Sequence, residues 1–227
     1  MKLNEEIVFV YAHICCDGNT YIKREKRSPS SMRTGRTDKP FNRYVVEYTN
    51  NCPKLLDLMI ENIKKLFPEN YICKSSNKKS RIQAANKKLY DLMKDLGHQK
   101  EGKWTIPPQI VTKPKLRKIW LRAFFDDEGC VYKNCIIGYN TNKKAIFTIN
   151  KMLNLEGFNT AVYKRAPKNK RHKNCYTLRI LSNSFLLFKK IGFDHTEKKE
   201  KYNRYHKMRQ PGFEPRSPAF FFCSSFF

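Results

Sequence analysis

Two short runs of the sequence end in an acidic residue followed by glycine. Residues 10–18 read VYAHICCDG and residues 121–129 read LRAFFDDEG, so the acids are Asp17 and Glu128. A carboxylate at the C-terminal end of a helix lies among unpaired carbonyl oxygens at the negative end of the helix dipole. Such a cluster of oxygens is unfavourable without a cation, and it suits Mg²⁺, a hard ion that prefers oxygen ligands. The two acids are therefore candidate metal ligands.

The residues beside the two acids extend this prediction. An alanine in the third position of each run lets two helices approach closely, which would place their terminal acids side by side. Gly18 and Gly129 predict a left-handed turn at the end of each helix. Cys16 and Asp127 directly precede the acids and are further candidate ligands, and the acidic run at 126–128 leaves the register open. The alternative is that the acids are ordinary polar residues at exposed helix ends.

The elements that would position these acids occur twice in the same order. The first half predicts a helix at 6–16, strands at 20–22 and 44–48, a helix begun by the sequence at 49–53, strands at 71–74 and 80–84, and a helix at 87–96 before Gly97. The second half predicts a helix at 115–128, strands at 131–132 and 135–139, a helix at 143–155 capped by Thr141 or Asn142, strands at 160–164 and 176–181, and a helix at 184–191 before Gly192.

Between the halves, YTNN at 48–51 matches YNTN at 139–142, and Arg81-Ile82 matches Arg179-Ile180. The shared order indicates a duplication.

The two runs resemble the LAGLIDADG motif of homing endonucleases, with apolar positions, a small third residue and an acid before glycine. The first run departs more, because His13 stands at an apolar position and Cys15 stands where the family often has aspartate. The resemblance covers residues 5–206. It implies an α+β fold of two pseudo-symmetric α-β-β-α-β-β-α repeats, packed through paired LAGLIDADG helices, whose antiparallel sheets form a DNA-binding saddle. The expected divisions are a first repeat at 1–97, a linker at 98–114, a second repeat at 115–209 and a disordered tail at 210–227.

The same resemblance implies a catalytic role for both acids. A monomer would cut both strands of a long DNA target with Mg²⁺ or another divalent cation such as Mn²⁺, and Asp17 and Glu128 would each serve one scissile phosphate. Metal ions would activate the attacking water and stabilise the leaving oxygen. Arg81 and Arg179, at matching strand ends, would polarise the scissile phosphates. The alternatives are an RNA maturase and a DNA-binding protein of the same fold that does not cleave.

The charge of the chain points to a polyanionic partner. Lysine and arginine number 46 against 20 aspartate and glutamate residues, a formal net charge of +26, and this balance favours nucleic acid. The alternatives are a ribosome-associated or merely lysine-rich protein, with basic loops that are only solvated surface. The candidate DNA-binding residues are Lys23, Arg24, Lys26, Arg27, Arg33, Arg36 and Arg43 in the first half and Lys164, Arg165, Lys170 and Arg171 in the second.

The cysteines and apolar segments indicate an intracellular protein. The eight cysteines include no C-x-x-C pair and no His/Cys cluster with zinc spacing, which favours reduced thiols. No apolar run approaches the roughly 20 residues of a membrane helix, and Glu5 and Glu6 interrupt the N-terminus before a signal peptide could form. The expectation is a monomer without a membrane or protein partner, in the cytoplasm or nucleoid of a prokaryote, with an archaeon as one candidate host.

The composition changes abruptly after Arg209. The segment at 210–218 reads QPGFEPRSP and is followed by phenylalanine runs. Gly-Phe-Glu-Pro at 212–215 is encoded by GGN-TTY-GAR-CCN, which can contain GGTTCGAACC, the TΨC-loop signature of tRNA genes. The hypothesis is that the reading frame lies in a tRNA intron and runs on into the 3′ exon, so that the target is an intron-less tRNA gene. The alternative is an ordinary disordered tail.

Overall fold

A computed structural model of the chain describes residues 2–26, 40–69, 71–74, 80–99, 103–133, 135–166 and 174–209. Some predicted features lie outside these residues, namely the tail at 210–227 and the candidate DNA-binding residues Arg27, Arg33, Arg36, Lys170 and Arg171. No helix in the described ranges is long and apolar enough to cross a membrane.

The first half of the chain forms a four-stranded antiparallel sheet with helices packed on one face. Its elements are α1 (Glu5–Asp17), β1 (Gly18–Glu25), β2 (Phe41–Thr49), α2 (Pro53–Leu66), β3 (Ile72–Lys74), β4 (Arg81–Ala85) and α3 (Lys87–Asp95). The strand order is β1-β2-β4-β3. The side chains of Asn4 and Asn86 begin α1 and α3, because each accepts a hydrogen bond from a backbone N–H three residues later.

The second half repeats this arrangement after a short helix. Its elements are α4 (Pro108–Thr112), α5 (Pro114–Glu128), β5 (Gly129–Val131), β6 (Ile136–Asn140), α6 (Lys143–Leu155), β7 (Thr160–Arg165), β8 (Cys175–Ile180) and α7 (Thr196–Lys207). The strand order is β5-β6-β8-β7, the same as in the first sheet. Asn142 caps α6 by accepting a hydrogen bond from the Ala145 N–H. The predicted α+β fold of two pseudo-repeats is confirmed.

The core lies where α1 and α5 pack against each other and against the sheets. Ala12 and Ala123 of these helices are at most 1% exposed, and Tyr48 and Ile82 of the first sheet are equally buried. Because side chains alternate along a strand, the residues between the buried ones point away from the helices. We call this side the outward face of each sheet. It carries Asn19, Tyr21, Glu47, Thr49, Arg81 and Gln83 in the first sheet and Cys130, Ile137, Tyr139, Thr177 and Arg179 in the second.

The glycines after the two acids do not adopt the predicted left-handed conformation. Gly18 has φ −110° and Gly129 has φ −90°, both in the extended region. Glycine is needed there because of close approach: a Cβ at Gly18 would lie 2.5 Å from the Ile14 Cα, and one at Gly129 would lie 2.2 Å from the Phe125 carbonyl oxygen. Because glycine has no side chain, each strand can begin directly after the acid that ends the helix.

The strand pairs show which residues of the two repeats correspond. The glycine after each acid pairs with the next strand, Gly18 with Tyr48 and Gly129 with Gly138. The predicted match of 48–51 with 139–142 is therefore wrong by one residue, and Asn50 corresponds to Asn140. Tyr48 faces the core whereas Tyr139 faces outward, and a shift of one residue turns every side chain of a strand to the other face.

The predicted equivalence of Arg81 and Arg179 is wrong for the same reason. Arg81 begins β4 opposite Thr49, whereas Arg179 lies near the end of β8 opposite Ile137. In the observed register, Arg179 corresponds to Gln83. The two arginines share the outward orientation but occupy different places in their sheets.

The helix predicted at 184–191 is instead two 3₁₀ turns, Ser182–Ser184 and Leu186–Lys190. Phe185, Phe188 and Ile191 are all fully buried. Their spacing of three residues matches the period of a 3₁₀ helix and places all three on one side of the chain.

Helix α7 was not predicted. Its sequence is strongly polar, and only Tyr202 of its residues is buried, so no apolar periodicity marks it. The helix matters because its first turn returns to the end of α5 and brings Lys198 there.

Candidate active site

Asp17 and Glu128 are the last residues of α1 and α5, and both line one cleft at the end of these helices. The cleft has a volume of about 910 Å³, and Thr49, Tyr139 and Arg165 also border it. The acids therefore open onto the side of the molecule formed by the outward faces of the two sheets. A long polymer lying across both sheets would reach both acids.

Two asparagines hold the acids in equivalent ways. Asn50 Nδ2 lies 3.4 Å from an Asp17 oxygen, and Asn140 Nδ2 donates to a Glu128 oxygen at 2.7 Å. The side-chain oxygen of each asparagine accepts the backbone N–H two residues later, at 2.9 Å in the first repeat and 2.8 Å in the second. These short turns fix the asparagine side chains at the start of α2 and α6. The sequence did not reveal them as site residues, because their equivalence depends on the strand register.

The surroundings of Asp17 and Glu128 disfavour the negatively charged forms of these side chains. Loss of surrounding water and the neighbouring charge of Asp127 raise the pKa of Asp17 to about 7. Loss of water, followed by the charges of Asp17 and Asp127, raises the pKa of Glu128 to about 8. A cation between these carboxylates would relieve their repulsion.

His13 and Asp127 join the two helices through a buried contact. His13 Nδ1 lies 2.8 Å from an Asp127 oxygen, and the two side chains are 1% and 0% exposed. The Tyr48 hydroxyl and Asn50 Nδ2 donate to the other Asp127 oxygen at 2.7 and 3.1 Å. Burial alone would lower the pKa of His13. The negative charge of Asp127 and those of the other nearby acids together outweigh burial, so the pKa is raised. The unusual histidine of the first motif thus has a partner in the second.

The other acids of the run at 126–128 are engaged within the protein, which favours Glu128 as the ligand. Asp127 accepts from three side chains, as described above. Asp126 accepts the backbone N–H groups of Asp194 and His195 at 3.1 and 3.0 Å, directly before α7. Asp126 therefore holds the start of α7 in place, and burial raises its pKa to about 7.

Lys198 is a further site residue that the sequence did not reveal. Its ammonium group donates to the carbonyl oxygens of Phe125 and Asp127 at 3.2 and 3.1 Å, and to that of Asp126 between them. These carbonyls form the negative end of the α5 dipole, where a cation is stabilising. Burial lowers the pKa of Lys198. Its position in a lysine-rich polar run gave no signal, since such runs are usually solvated surface.

The predicted arginines do not border the cleft that contains the two acids. Arg81 Nη1 lies 3.5 Å from a Glu47 oxygen on the outward face. Neither Arg81 nor Arg179 is among the described residues that line the cleft, whereas Arg165 is. Their assignment to polarising the scissile phosphates has no support from this geometry.

Cys16 borders a smaller pocket of about 240 Å³ next to Glu128. Burial and the surrounding carboxylates, beginning with Asp127, raise the pKa of its thiol well above the usual range. Only a deprotonated cysteine binds a metal ion well. Mg²⁺ prefers oxygen to sulfur ligands, so the two carboxylates are the stronger candidates.

The described basic candidates lie at or near the ends of their strands, and Arg165 also borders the cleft. Lys23, Arg24, Lys26, Lys164 and Arg165 are exposed, and Arg43 is partly buried. Glu25 forms ion pairs with Lys23 at 2.8 Å and with Arg43 at 3.5 Å. The exposed ammonium and guanidinium groups are available to an anionic partner.

The site suits a cation that prefers oxygen ligands and whose coordination shell is completed by oxygens of the substrate. Within the described residues, no group of three or more His, Cys, Asp and Glu side chains is arranged to hold a metal ion by itself. Mg²⁺ is often held by one or two carboxylates together with substrate phosphates rather than by a protein cage. Asp17 and Glu128, with raised pKa values at an open cleft, fit this mode of binding.

Residues 116–192 match the family of the LAGLIDADG-like domain. The matched residues lie within the second repeat. The resemblance indicated by the two motifs is confirmed, because the chain also has the two-repeat fold of LAGLIDADG proteins. No curated protein matches the sequence.

Solved structures share this fold over most of the chain. The structure of I-DmoI in complex with DNA and Ca has a TM-score of 0.57 and 17% identity, covering 81% of this chain and 86% of its own. I-DmoI with DNA and Mn has a TM-score of 0.57 and 17% identity, covering 81% and 93%. A variant of I-SmaMI has a TM-score of 0.53 and 14% identity, covering 91% and 90%. At these identities the likeness establishes the fold.

Proposed function

We propose that the protein is a site-specific DNA endonuclease of the homing type that cuts both strands of a long duplex with a divalent cation. The observation that carries the proposal is the pairing of Asp17 with Glu128. One carboxylate from each repeat, both with raised pKa values, opens onto a single cleft that two sheets border. I-DmoI, which shares the fold, is a homing endonuclease known in complex with DNA and with Ca or Mn.

The charge distribution supports duplex DNA as the partner. A net charge of +26 gives strong attraction to phosphates through counterion release. Both acids belong to one chain, so a monomer suffices to address both strands. The residues proposed to contact the DNA backbone are Lys23, Arg24, Lys26, Arg43, Lys164 and Arg165 among the described residues, with Arg27, Arg33, Arg36, Lys170 and Arg171 outside them.

Asp17 and Glu128 would hold the divalent cations, Mg²⁺ or Mn²⁺, each acid serving one scissile phosphate. When bound, such an ion activates the attacking water and stabilises the leaving oxygen. Asn50 and Asn140 orient the two carboxylates through their side-chain N–H groups. The positive charge of Lys198 acts to lower the pKa of both acids, which favours their ionised, ligating form.

The proposal extends to the origin of the gene and to its target. A homing enzyme must spare the allele that carries its intron and cut the allele that lacks it, so its site spans the exon junction. The GFEP sequence at 212–215 supports a reading frame that runs from a tRNA intron into the 3′ exon. The substrate would then be the uninterrupted copy of that tRNA gene.

The catalytic assignment is tested by cleavage of an intron-less tRNA gene and of duplexes selected for binding, each with Mg²⁺. Asp17→Asn and Glu128→Gln should each reduce double-strand cleavage by roughly a hundredfold or more, because a metal ligand is lost, while DNA binding stays nearly unchanged. Asp57→Asn is the matched control, since it removes an exposed carboxylate that does not border the cleft and should cut like the wild type.

The other outcomes are equally informative. Wild-type cutting by either acid variant would overturn the assignment of that acid. Tight binding without any cleavage by the unaltered protein would favour the non-cleaving DNA-binding or RNA maturase alternatives. Equal cleavage of intron-containing and intron-less genes would remove the proposed tRNA target and leave the nuclease activity standing.

A further inference from the structure

The two sheets differ in the central row of their outward faces. In the first sheet this row contains Asn19, Glu47, Gln83 and Cys73, paired in that order across β1, β2, β4 and β3. In the second sheet the corresponding row contains Cys130, Ile137, Arg179 and Ala161. Glu47 therefore occupies the place that Ile137 has in the second repeat. The first row offers hydrogen-bond donors and acceptors, whereas the second offers one arginine among small or apolar side chains.

Glu47 is held in a fixed orientation on this face. Gln83 Nε2 and the Tyr21 hydroxyl donate to its Oε2 at 2.6 and 3.1 Å, and Arg81 Nη1 lies 3.5 Å from the same oxygen. Among the described residues, the other oxygen, Oε1, has no hydrogen-bond partner. Because a carboxylate accepts about four hydrogen bonds, Glu47 retains acceptor capacity directed by its neighbours.

A carboxylate on a surface that faces DNA is unfavourable for general affinity, since phosphates repel it. Such a carboxylate is tolerated in the complex where it accepts a hydrogen bond from the DNA. In the major groove the donors are the amino groups of cytosine and adenine, whereas guanine presents only acceptors there. Glutamate commonly accepts from the cytosine amino group. A preoriented Glu47 would therefore act on base discrimination more than on affinity.

We propose that Glu47, oriented by Gln83 and Tyr21, reads a cytosine in the half of the DNA site that the first repeat covers. The equivalent position in the second half-site faces Ile137, whose side chain has no hydrogen-bonding group, so discrimination there is weaker. The inference rests on the proposed function, in that the outward faces of the sheets lie against DNA. It assigns a specificity-determining residue and an asymmetry between the two half-sites.

The test begins with binding selection from duplexes of randomised sequence, in buffer with Ca²⁺, using the full-length protein. The selected duplex is then altered one base pair at a time and bound to the wild type and to Glu47→Gln. At one position in the first repeat's half-site, the preference for cytosine should fall about tenfold or more in the variant. Affinity for unselected duplex at the same salt should stay equal or rise, because a negative charge has been removed.

Glu25→Gln is the matched control. It makes the same change of charge on the same sheet, but Glu25 is already paired with Lys23 and Arg43. Its base preferences should equal those of the wild type. Thermal unfolding of both variants verifies that they are folded.

Three results would overturn the inference. An unchanged base preference in Glu47→Gln would refute it while leaving the proposed DNA binding intact. An equal loss of preference in Glu25→Gln would show a general effect of charge. If the wild type enriches no sequence at all, both base reading and site-specific cleavage are refuted together.

Discussion

The two repeats share one plan but differ at the ends of their first helices. In each, the second motif residue ties the helix to the segment that closes its repeat, through Tyr11 to the Leu96 carbonyl at 2.7 Å and through Arg122 to the Ile191 carbonyl at 2.8 Å. At the end of α5, Lys198 occupies the carbonyl oxygens. At the end of α1, no lysine or arginine of the described residues does so. The positive charge of Lys198 thus acts on both acids, although it comes from the second repeat alone.

The departures of the two motifs are also complementary. The fourth motif position is His13 in α1 and Phe124 in α5, and the seventh is Cys16 in α1 and Asp127 in α5. Each departure would be unfavourable alone, because a buried ionisable group would lack its partner from the opposite helix. Together His13 and Asp127 form a contact of 2.8 Å across the helix interface. The departures of the two motifs therefore compensate each other in the structure.

The largest expected effect comes from separating this pair. His13→Leu leaves the Asp127 carboxylate buried with fewer donors and should lower the free energy of unfolding by about 3 kcal/mol. His13→Leu combined with Asp127→Ala removes both partners and should lose less than the sum of the two single changes. Urea unfolding of the four proteins measures this coupling. Strictly additive losses would show that the pair does not connect the repeats.

A smaller effect concerns pH in the absence of metal. The pKa values of Asp17 and Glu128, about 7 and 8, exceed their ordinary values of 3.8 and 4.5. Between about pH 4 and 8 the folded protein therefore retains protons that the unfolded chain has lost, so stability falls as the pH rises through this window. The fall should be on the order of 1–2 kcal/mol, since the cleft removes only part of the water around Asp17 and the remaining solvent screens its charge.

Thermal unfolding with EDTA across this pH range measures the fall. Adding Mn²⁺ should restore stability at pH 8 far more than at pH 5, because protons compete for the same oxygens. The double variant Asp17→Asn with Glu128→Gln should respond least to pH and to metal. A wild type whose stability rises steadily with pH in EDTA would contradict the raised pKa values.

The smallest effect is that of Lys198. Lys198→Met removes a positive charge that acts to lower the pKa of both acids, so the pH at which Mn²⁺ binding is half complete should move upward by about one unit or less. Lys199→Met is the control, because Lys199 is exposed and beside it in α7. Mn²⁺ titrations followed by electron paramagnetic resonance measure the midpoint. Equal shifts in both variants would remove the special role of Lys198.

The sequence predicted those features of the site that are local. Asp17 and Glu128 end their helices as predicted because an apolar run, an acid and a glycine lie within nine residues. Asn142 caps α6 as one of the two residues expected to do so. Such features depend on contacts within one or two turns of the chain, which a motif contains.

The remaining features depend on contacts that no local pattern encodes. Lys198 reaches the end of α5 across some 70 residues of sequence, and Asp126 helps to place it by holding the start of α7. The match of Tyr48 with Tyr139 was wrong because identical residue types do not reveal which face of a sheet each residue occupies. The left-handed turn expected at Gly18 was wrong because close packing, rather than φ, demands glycine there.

The position of the metal in a complex with DNA decides between a pair of catalytic acids and a pair of ordinary helix ends. Crystals of the protein with a selected duplex and Mn²⁺ would show each ion by its anomalous scattering. The proposal predicts ions about 2.1 Å from carboxylate oxygens of Asp17 and Glu128 and equally close to scissile phosphate oxygens. Mn²⁺ bound to Asp126 or Asp127 instead, or phosphates far from both helix ends, would contradict it.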